Sequence, residues 1–98
     1  MKFGLTPPQY KFISEAVVEP LRRNGNEVYC FGSRARNDHK PFSDLDLMVE
    51  GKPDCRSLVA TMKDTLSESN FPYKVDIVLL DELATSYLES YKLDRKTW

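Results

Sequence analysis

Apolar residues recur at three-to-four spacing in three stretches of the chain, which predicts three long helices. The first helix starts at Pro7-Pro8, and one stripe of it is formed by Phe12, Ile13, Ala16, Val17 and Leu21. Pro20 lacks an N–H and should kink or restart this helix, and Asn24-Gly25-Asn26 should end it. The second helix is expected over residues 54–70 and the third over residues 81–91.

Three segments between these helices alternate or are rich in β-branched and aromatic side chains, as strands are. They cover residues 27–31, 44–50 and 73–80. In the second strand the residues expected in the core are Leu45, Leu47 and Val49, and those on the opposite face are Asp44, Asp46, Met48 and Glu50. Residues 34–36 can form a short helix, and residues 93–98 are expected to be a tail. The order α-β-α-β-α-β-α predicts an α/β fold with a small mixed sheet and helices on one face.

Size and composition favour one domain over residues 1–98. The chain is 41% apolar and 30% charged, which suits one hydrophobic core. Its net charge is only −1, with both signs spread along the sequence, so bulk nucleic acid is not an expected partner. No apolar run approaches the roughly 18–20 residues needed to span a bilayer, and we expect no membrane association and a cytoplasmic location. Cys30 should be a core thiol and Cys55 a surface thiol.

The acidic residues of the second and third strands suggest a metal site. Asp44 and Asp46 are two apart on a strand, so both carboxylates project from the same face and repel each other. If the third strand lies beside the second, Asp76 joins them. Three oxygen donors without a His or Cys cluster select Mg²⁺ or Mn²⁺, and two such ions can promote an in-line phosphoryl or nucleotidyl transfer.

The turn Gly32-Ser33, where the first strand meets the short helix, is suited to binding phosphate. Glycine allows close approach of the backbone, and a helix start presents free N–H groups. Arg34 and Arg36 follow closely and could counter the charge of a triphosphate.

Structural explanations stand beside these functional ones. The acids could lie on the solvated face of an edge strand, Gly32 could serve a tight turn, and both arginines could simply be exposed. His39 is expected to be an exposed loop residue without a catalytic role. A third-helix stripe could belong to the core or to a partner interface, and it comprises Leu83, Tyr87, Leu88 and Tyr91.

The spacing of these motifs resembles a known superfamily. Gly32-Ser33, ten intervening residues and Asp44-Leu45-Asp46, followed by Asp76, are similar to the signature of the polymerase-β-like nucleotidyltransferases. The fuller string from Phe31 to Arg36 resembles the minimal nucleotidyltransferase (MNT) branch, although Asn37 stands where that family often has glycine.

The resemblance implies a palm-like fold and a role for each motif. Gly32 and Ser33 would hold the triphosphate of ATP, Asp44 and Asp46 would bind two metal ions, and Asp76 would complete the metal site and assist hydroxyl deprotonation. It also implies a helical HEPN-type partner in a toxin–antitoxin pair, with adenylate transferred to a partner tyrosine. Two alternatives remain open, namely a binding module that neutralises its partner by contact, and a small-molecule nucleotidyltransferase completed by a helical subunit.

Overall fold

A four-stranded mixed sheet forms the centre of the protein, whose computed structural model describes residues 2–98. The strands are β1 (Glu27–Phe31), β2 (Leu45–Glu50), β3 (Val75–Leu79) and β4 (Lys96–Thr97). Their order across the sheet is β3-β2-β1-β4. β1 is antiparallel to both β2 and β4, whereas β2 and β3 are parallel. The predicted mixed sheet of an α/β fold is therefore confirmed.

The helices follow the predicted order with differences in length. They are α1 (Pro7–Ile13), α2 (Glu19–Arg23), α3 (Gly32–Arg36), α4 (Arg56–Ser67) and α5 (Leu88–Asp94). Short 3₁₀ turns cover Lys2–Gly4, Leu80–Glu82 and Thr85–Tyr87. Within residues 2–98, no helix has both the length and the apolar character needed to cross a bilayer.

The first helical region is interrupted where the proline predicts a kink. Thr6 caps α1 with its side chain, and Gln9 completes the reciprocal capping box. A π turn at Ser14–Val18 then separates α1 from α2, in which Pro20 lies in the first turn. Because Pro20 has no N–H and its ring crowds the preceding turn, the wider π turn lets the helix continue.

The core lies between one face of the sheet and helices α1, α2 and α4. Strand residues predicted to face it are almost fully buried, with Leu45 and Leu47 at 0% and Val49 at 3% exposure. Cys30 is also fully buried, and burial raises the pKa of its thiol to about 12, with repulsion from Asp46 adding to the effect. The expectation that Cys55 lies at the surface is wrong, because its side chain is buried under the start of α4.

The expectation of a tail at residues 93–98 is also wrong. β4 pairs with β1, and Trp98 stacks on Tyr10 and Phe3 with ring centroids 4.6 and 5.2 Å away. The Trp98 indole N–H donates to the Ser14 hydroxyl at 2.8 Å. We call these four residues the Trp98 corner. Its partners lie more than 80 positions away along the chain, so no local pattern could reveal it.

Helices α1, α2 and α4 pack on the core face of the sheet. Helix α5 packs on the opposite face. The Tyr91 ring meets Phe31 edge-on at 5.5 Å, and its hydroxyl donates to Glu50. The third predicted helix is broken because Leu80–Glu82 and Thr85–Tyr87 form separate 3₁₀ turns and only Leu88–Asp94 is α-helical. Tyr91 is 3% exposed and thus belongs to the interior of this domain, whereas Tyr87 remains 64% exposed.

Candidate active site

Two of the three predicted acids lie side by side at one end of the sheet. Asp46 in β2 is the register partner of Asp76 in parallel β3, and it also faces Phe31, the last residue of β1. Asp44 lies immediately before β2 and is exposed. The sheet therefore brings these acids to the same end as Gly32. We call Asp44, Asp46, Asp76 and Gly32 the carboxylate end.

Asp46 is in an unfavourable environment for a charged group. It is only partly exposed, and its pKa is raised from 3.8 to about 6, first by burial and then by repulsion from Asp76 and Asp44. Lys74 lies nearby, with its Nζ 3.6 Å from the Asp76 Oδ1. Lys74 and Arg34 offset only part of this negative charge, because the pKa of Asp46 stays raised, so a cation of higher charge would be favoured here.

The donor set fits a hard divalent cation, although the carboxylates are not yet gathered around one. Their oxygens are the donors that Mg²⁺ and Mn²⁺ prefer. Within residues 2–98, no three His, Cys, Asp or Glu side chains form an assembled metal-binding cluster. The metal site made of all three acids thus stays a prediction.

Gly32 lies so close to the Asp46 carboxylate that a side chain at this position would displace the carboxylate. Its φ is +73°, and a Cβ at this position would lie 2.5 Å from the Asp46 Oδ2. Glycine is therefore required by the backbone conformation and by the carboxylate together. Ser33 follows in the first turn of α3, and Asn37, with a φ of +62°, caps the C-terminal end of this helix. Asn37 thus adopts the left-handed conformation that glycine would supply.

Arg34 is buried within the domain and does not lie on a solvated face. Its side chain donates from Nε to the Ser43 carbonyl at 3.1 Å and from Nη1 to the Phe3 carbonyl at 3.0 Å. Its guanidinium stacks over the Tyr73 ring, 4.2 Å from the centroid, and the residue is 2% exposed. These contacts fasten the loop after α3, and the predicted contact of Arg34 with a nucleotide stays a prediction.

Arg36 also has protein partners. It binds Asp38 at 3.1 Å and Asp94 at 2.9 Å, and these two hydrogen bonds raise the pKa of its guanidinium. Its side chain is 44% exposed, as the solvated-face alternative expects. A nucleotide contact by Arg36 would have to compete with both carboxylates, and it too stays a prediction.

The loop before Asp44 contains features that the sequence analysis missed. His39 is partly buried, contrary to expectation, and among the described residues its enclosed Nδ1 has no hydrogen-bond partner. Phe42 is 77% exposed and has a φ of +68°. The sequence could have drawn attention to Phe42, because it is a large aromatic residue next to a proposed acidic motif. Nothing in the sequence indicates its positive φ.

Comparison with known proteins agrees with the geometry. The family model of the nucleotidyltransferase domain matches residues 11–98. The chain is 40% identical over 60 residues to the "Probable protein adenylyltransferase MntA" of Haemophilus influenzae, across 60% of this chain and 51% of that protein. The chain therefore spans about half the length of this curated relative.

A solved structure shares the fold. It is described as "Crystal structure of the toxin-antitoxin with AMP-PNP" and superposes with a TM-score of 0.62 at 23% identity, covering 87% of this chain and 72% of that chain. At this identity the likeness concerns the fold alone. Since the family model covers nearly all of the sequence, the chain belongs to the nucleotidyltransferase domain family.

Proposed function

We propose that this chain transfers a nucleoside monophosphate, AMP from ATP, to a hydroxyl group. The observation that carries the proposal is the close approach of Gly32 to Asp46, which supports a turn that binds phosphate next to an acid that binds metal. Asp76, at the paired register position, adds the third carboxylate on the far side of Asp46 from β1.

Each residue has a distinct part in the transfer. The backbone at Gly32 and the hydroxyl of Ser33 hold the triphosphate, since the missing side chain allows close approach. Asp44, Asp46 and Asp76 would hold two Mg²⁺ or Mn²⁺ ions, which would neutralise negative charge on the reacting phosphate. Asp76, released from Lys74, accepts the proton of the acceptor hydroxyl. The hydroxyl oxygen bonds to the α-phosphorus while the bond to the bridging oxygen breaks and pyrophosphate leaves.

We propose that the acceptor is a tyrosine of a separate HEPN-type helical protein. The relative from Haemophilus influenzae carries the name of a protein adenylyltransferase, and the structural neighbour is a toxin–antitoxin assembly. The near-neutral charge of this chain also disfavours a nucleic acid as acceptor. Cytoplasmic action is part of the proposal because ATP is the donor.

Intact-protein mass spectrometry tests the proposal. We expect the chain, incubated with ATP, Mg²⁺ and the HEPN-type product of the neighbouring gene, to add adenylate to that product. Asp44→Asn should slow the addition about 10³-fold by weakening metal binding, and chelation of Mg²⁺ should stop it. Asp44 is exposed and precedes β2, so the variant should keep its fold and its complex with the partner.

Either of two results would contradict the proposal and favour one of the alternative functions. A partner that is bound and silenced but gains no mass would indicate a binding module. Pyrophosphate release that depends on a small hydroxyl compound, without modification of the partner, would indicate a small-molecule nucleotidyltransferase.

A further inference from the structure

Phe42 occupies a position that neither burial nor backbone preference explains. It is 77% exposed although it is one of the largest apolar side chains. The Ser43 N–H donates to the Lys40 carbonyl at 3.1 Å, which closes a turn with Pro41 and Phe42 at its centre. With a φ of +68°, Phe42 stands where such turns prefer glycine or asparagine. Residues held in an unfavourable backbone conformation are often found at functional sites.

The Phe42 ring contacts Tyr73, which lies two residues before the start of β3. Phe42 precedes Asp44 by two residues, and its ring lies edge-on to Tyr73 with centroids 6.2 Å apart. Tyr73 is also contacted by the buried Arg34, at 4.2 Å, and by Phe71, at 5.7 Å. Tyr73 is thus packed in place before any partner arrives, and Phe42 contacts it while keeping most of its own surface exposed.

These rings lie on the side of the site where an acceptor would approach. Gly32 follows β1, whereas Tyr73 leads into β3, which carries Asp76, and β2 with Asp46 runs between β1 and β3. In an in-line displacement the attacking oxygen enters opposite the leaving pyrophosphate. A triphosphate held at Gly32 therefore leaves the β3 side to the attacking hydroxyl.

We propose that Phe42 and Tyr73 form a docking platform for the hydroxyl-bearing segment of the acceptor protein. This inference rests on the proposed function. A side chain exposed to 77% at a loop tip offers a contact face but no enclosing walls, which suits a protein surface better than a small molecule. Lys74 is paired with Asp76, whereas exposed Lys40 lies two residues before Phe42, so the docking segment should carry an acidic residue that reaches Lys40, away from the carboxylate end.

The substitution Phe42→Gly separates docking from folding. It removes the ring and relieves the positive φ, so the thermal midpoint should stay equal or rise. The affinity for the HEPN-type product of the neighbouring gene, measured by calorimetry, should fall about tenfold, as for an aromatic anchor. KM for that protein should rise similarly, while kcat at saturation and the affinity for Mg²⁺-ATP stay unchanged. Phe42→Trp should restore binding, and Lys40→Glu should weaken it.

Leu93→Ala is the matched control because Leu93 is another exposed apolar residue, at 84%, on α5. It should bind the partner like the unsubstituted chain. Unchanged partner affinity in Phe42→Gly would overturn the platform, and so would a loss confined to Leu93→Ala. If the unsubstituted chain transfers no adenylate but Phe42→Gly still binds the partner tenfold more weakly, the proposed function fails while the platform stands.

Discussion

The carboxylate end and the Trp98 corner are built on opposite principles. At the corner, the Trp98 ring is buried between aromatic neighbours and its N–H has an acceptor. At the carboxylate end, an acid is half-buried among like charges and Gly32 is held at positive φ against it. The corner satisfies each group that it buries, whereas the carboxylate end leaves repulsion for a ligand to relieve.

The contrast shows where stability and function are separable in a small domain. Contacts such as those of Trp98 exist without a ligand and should contribute to the free energy of unfolding. Repulsion among Asp44, Asp46 and Asp76 lowers stability in the absence of metal and becomes useful only when a cation binds. Substitutions at the corner should therefore change folding, and substitutions at the carboxylate end should change ligand binding.

The largest expected effect is on folding. Trp98→Ala should reduce the free energy of unfolding by about 3–5 kcal/mol because it empties a buried site and leaves Ser14 without its donor. Urea denaturation followed by circular dichroism measures this loss. Trp98→Phe, which keeps a ring but not the N–H, should lose less. The fraction of Trp98→Ala that is folded should bind Mg²⁺-ATP normally, and an unchanged unfolding midpoint would show that the corner contributes nothing.

The strands and the acids could be predicted because each leaves a local trace. Alternation along residues 44–50 gives the core face of β2, and carboxylates at strand positions contradict strand propensity, which marks Asp46 and Asp76 as needing another explanation. The spacing between Gly32-Ser33 and these acids then indicated nucleotidyl transfer. The strands and the positions of the acids could be predicted because both follow from short segments of the sequence.

The features that could not be predicted depend on distant contacts. Nothing near Trp98 shows that Tyr10 and Ser14 will receive it, so β4 looked like a tail. The burial of Arg34 has no local signal either, because its acceptors are the carbonyls of Phe3 and Ser43. Packing of this kind becomes visible only when the chain is folded.

An intermediate effect is expected at Gly32. Gly32→Ala should weaken Mg²⁺-ATP binding on the order of 100-fold, about 2.7 kcal/mol, because the new Cβ would displace the Asp46 carboxylate and block approach of the triphosphate. Calorimetry with Mg²⁺-ATP measures the change. Ser33→Ala, which removes a single hydroxyl, should be milder.

Gly25→Ala is the matched control for backbone strain. Gly25 also has positive φ, +93°, but a Cβ there would meet only the Pro53 side chain at 3.1 Å. Both variants should lose stability through the left-handed backbone, and only Gly32→Ala should lose ATP affinity. Equal ATP affinities in the two variants would separate Gly32 from nucleotide binding.

The smallest expected effect is a pH-dependent stability that arises from Asp46. Its pKa in the folded protein is about 6, above the ordinary 3.8, so the fold favours the protonated carboxyl. The stabilisation from this proton is fully present below pH 3.8 and is lost as the pH rises through 6.

The substitution Asp46→Asn tests this dependence. The asparagine side chain is neutral at every pH, so the variant does not lose this stability as the pH rises. In the presence of EDTA its thermal midpoint should match the unsubstituted chain near pH 4 and exceed it near pH 7.5, by on the order of 3 °C after solvent screening. Mg²⁺ should raise only the midpoint of the unsubstituted chain at the higher pH, because the cation replaces the proton. A midpoint difference that stays constant between these pH values would mean that the Asp46 carboxylate is as well solvated in the fold as in the unfolded chain.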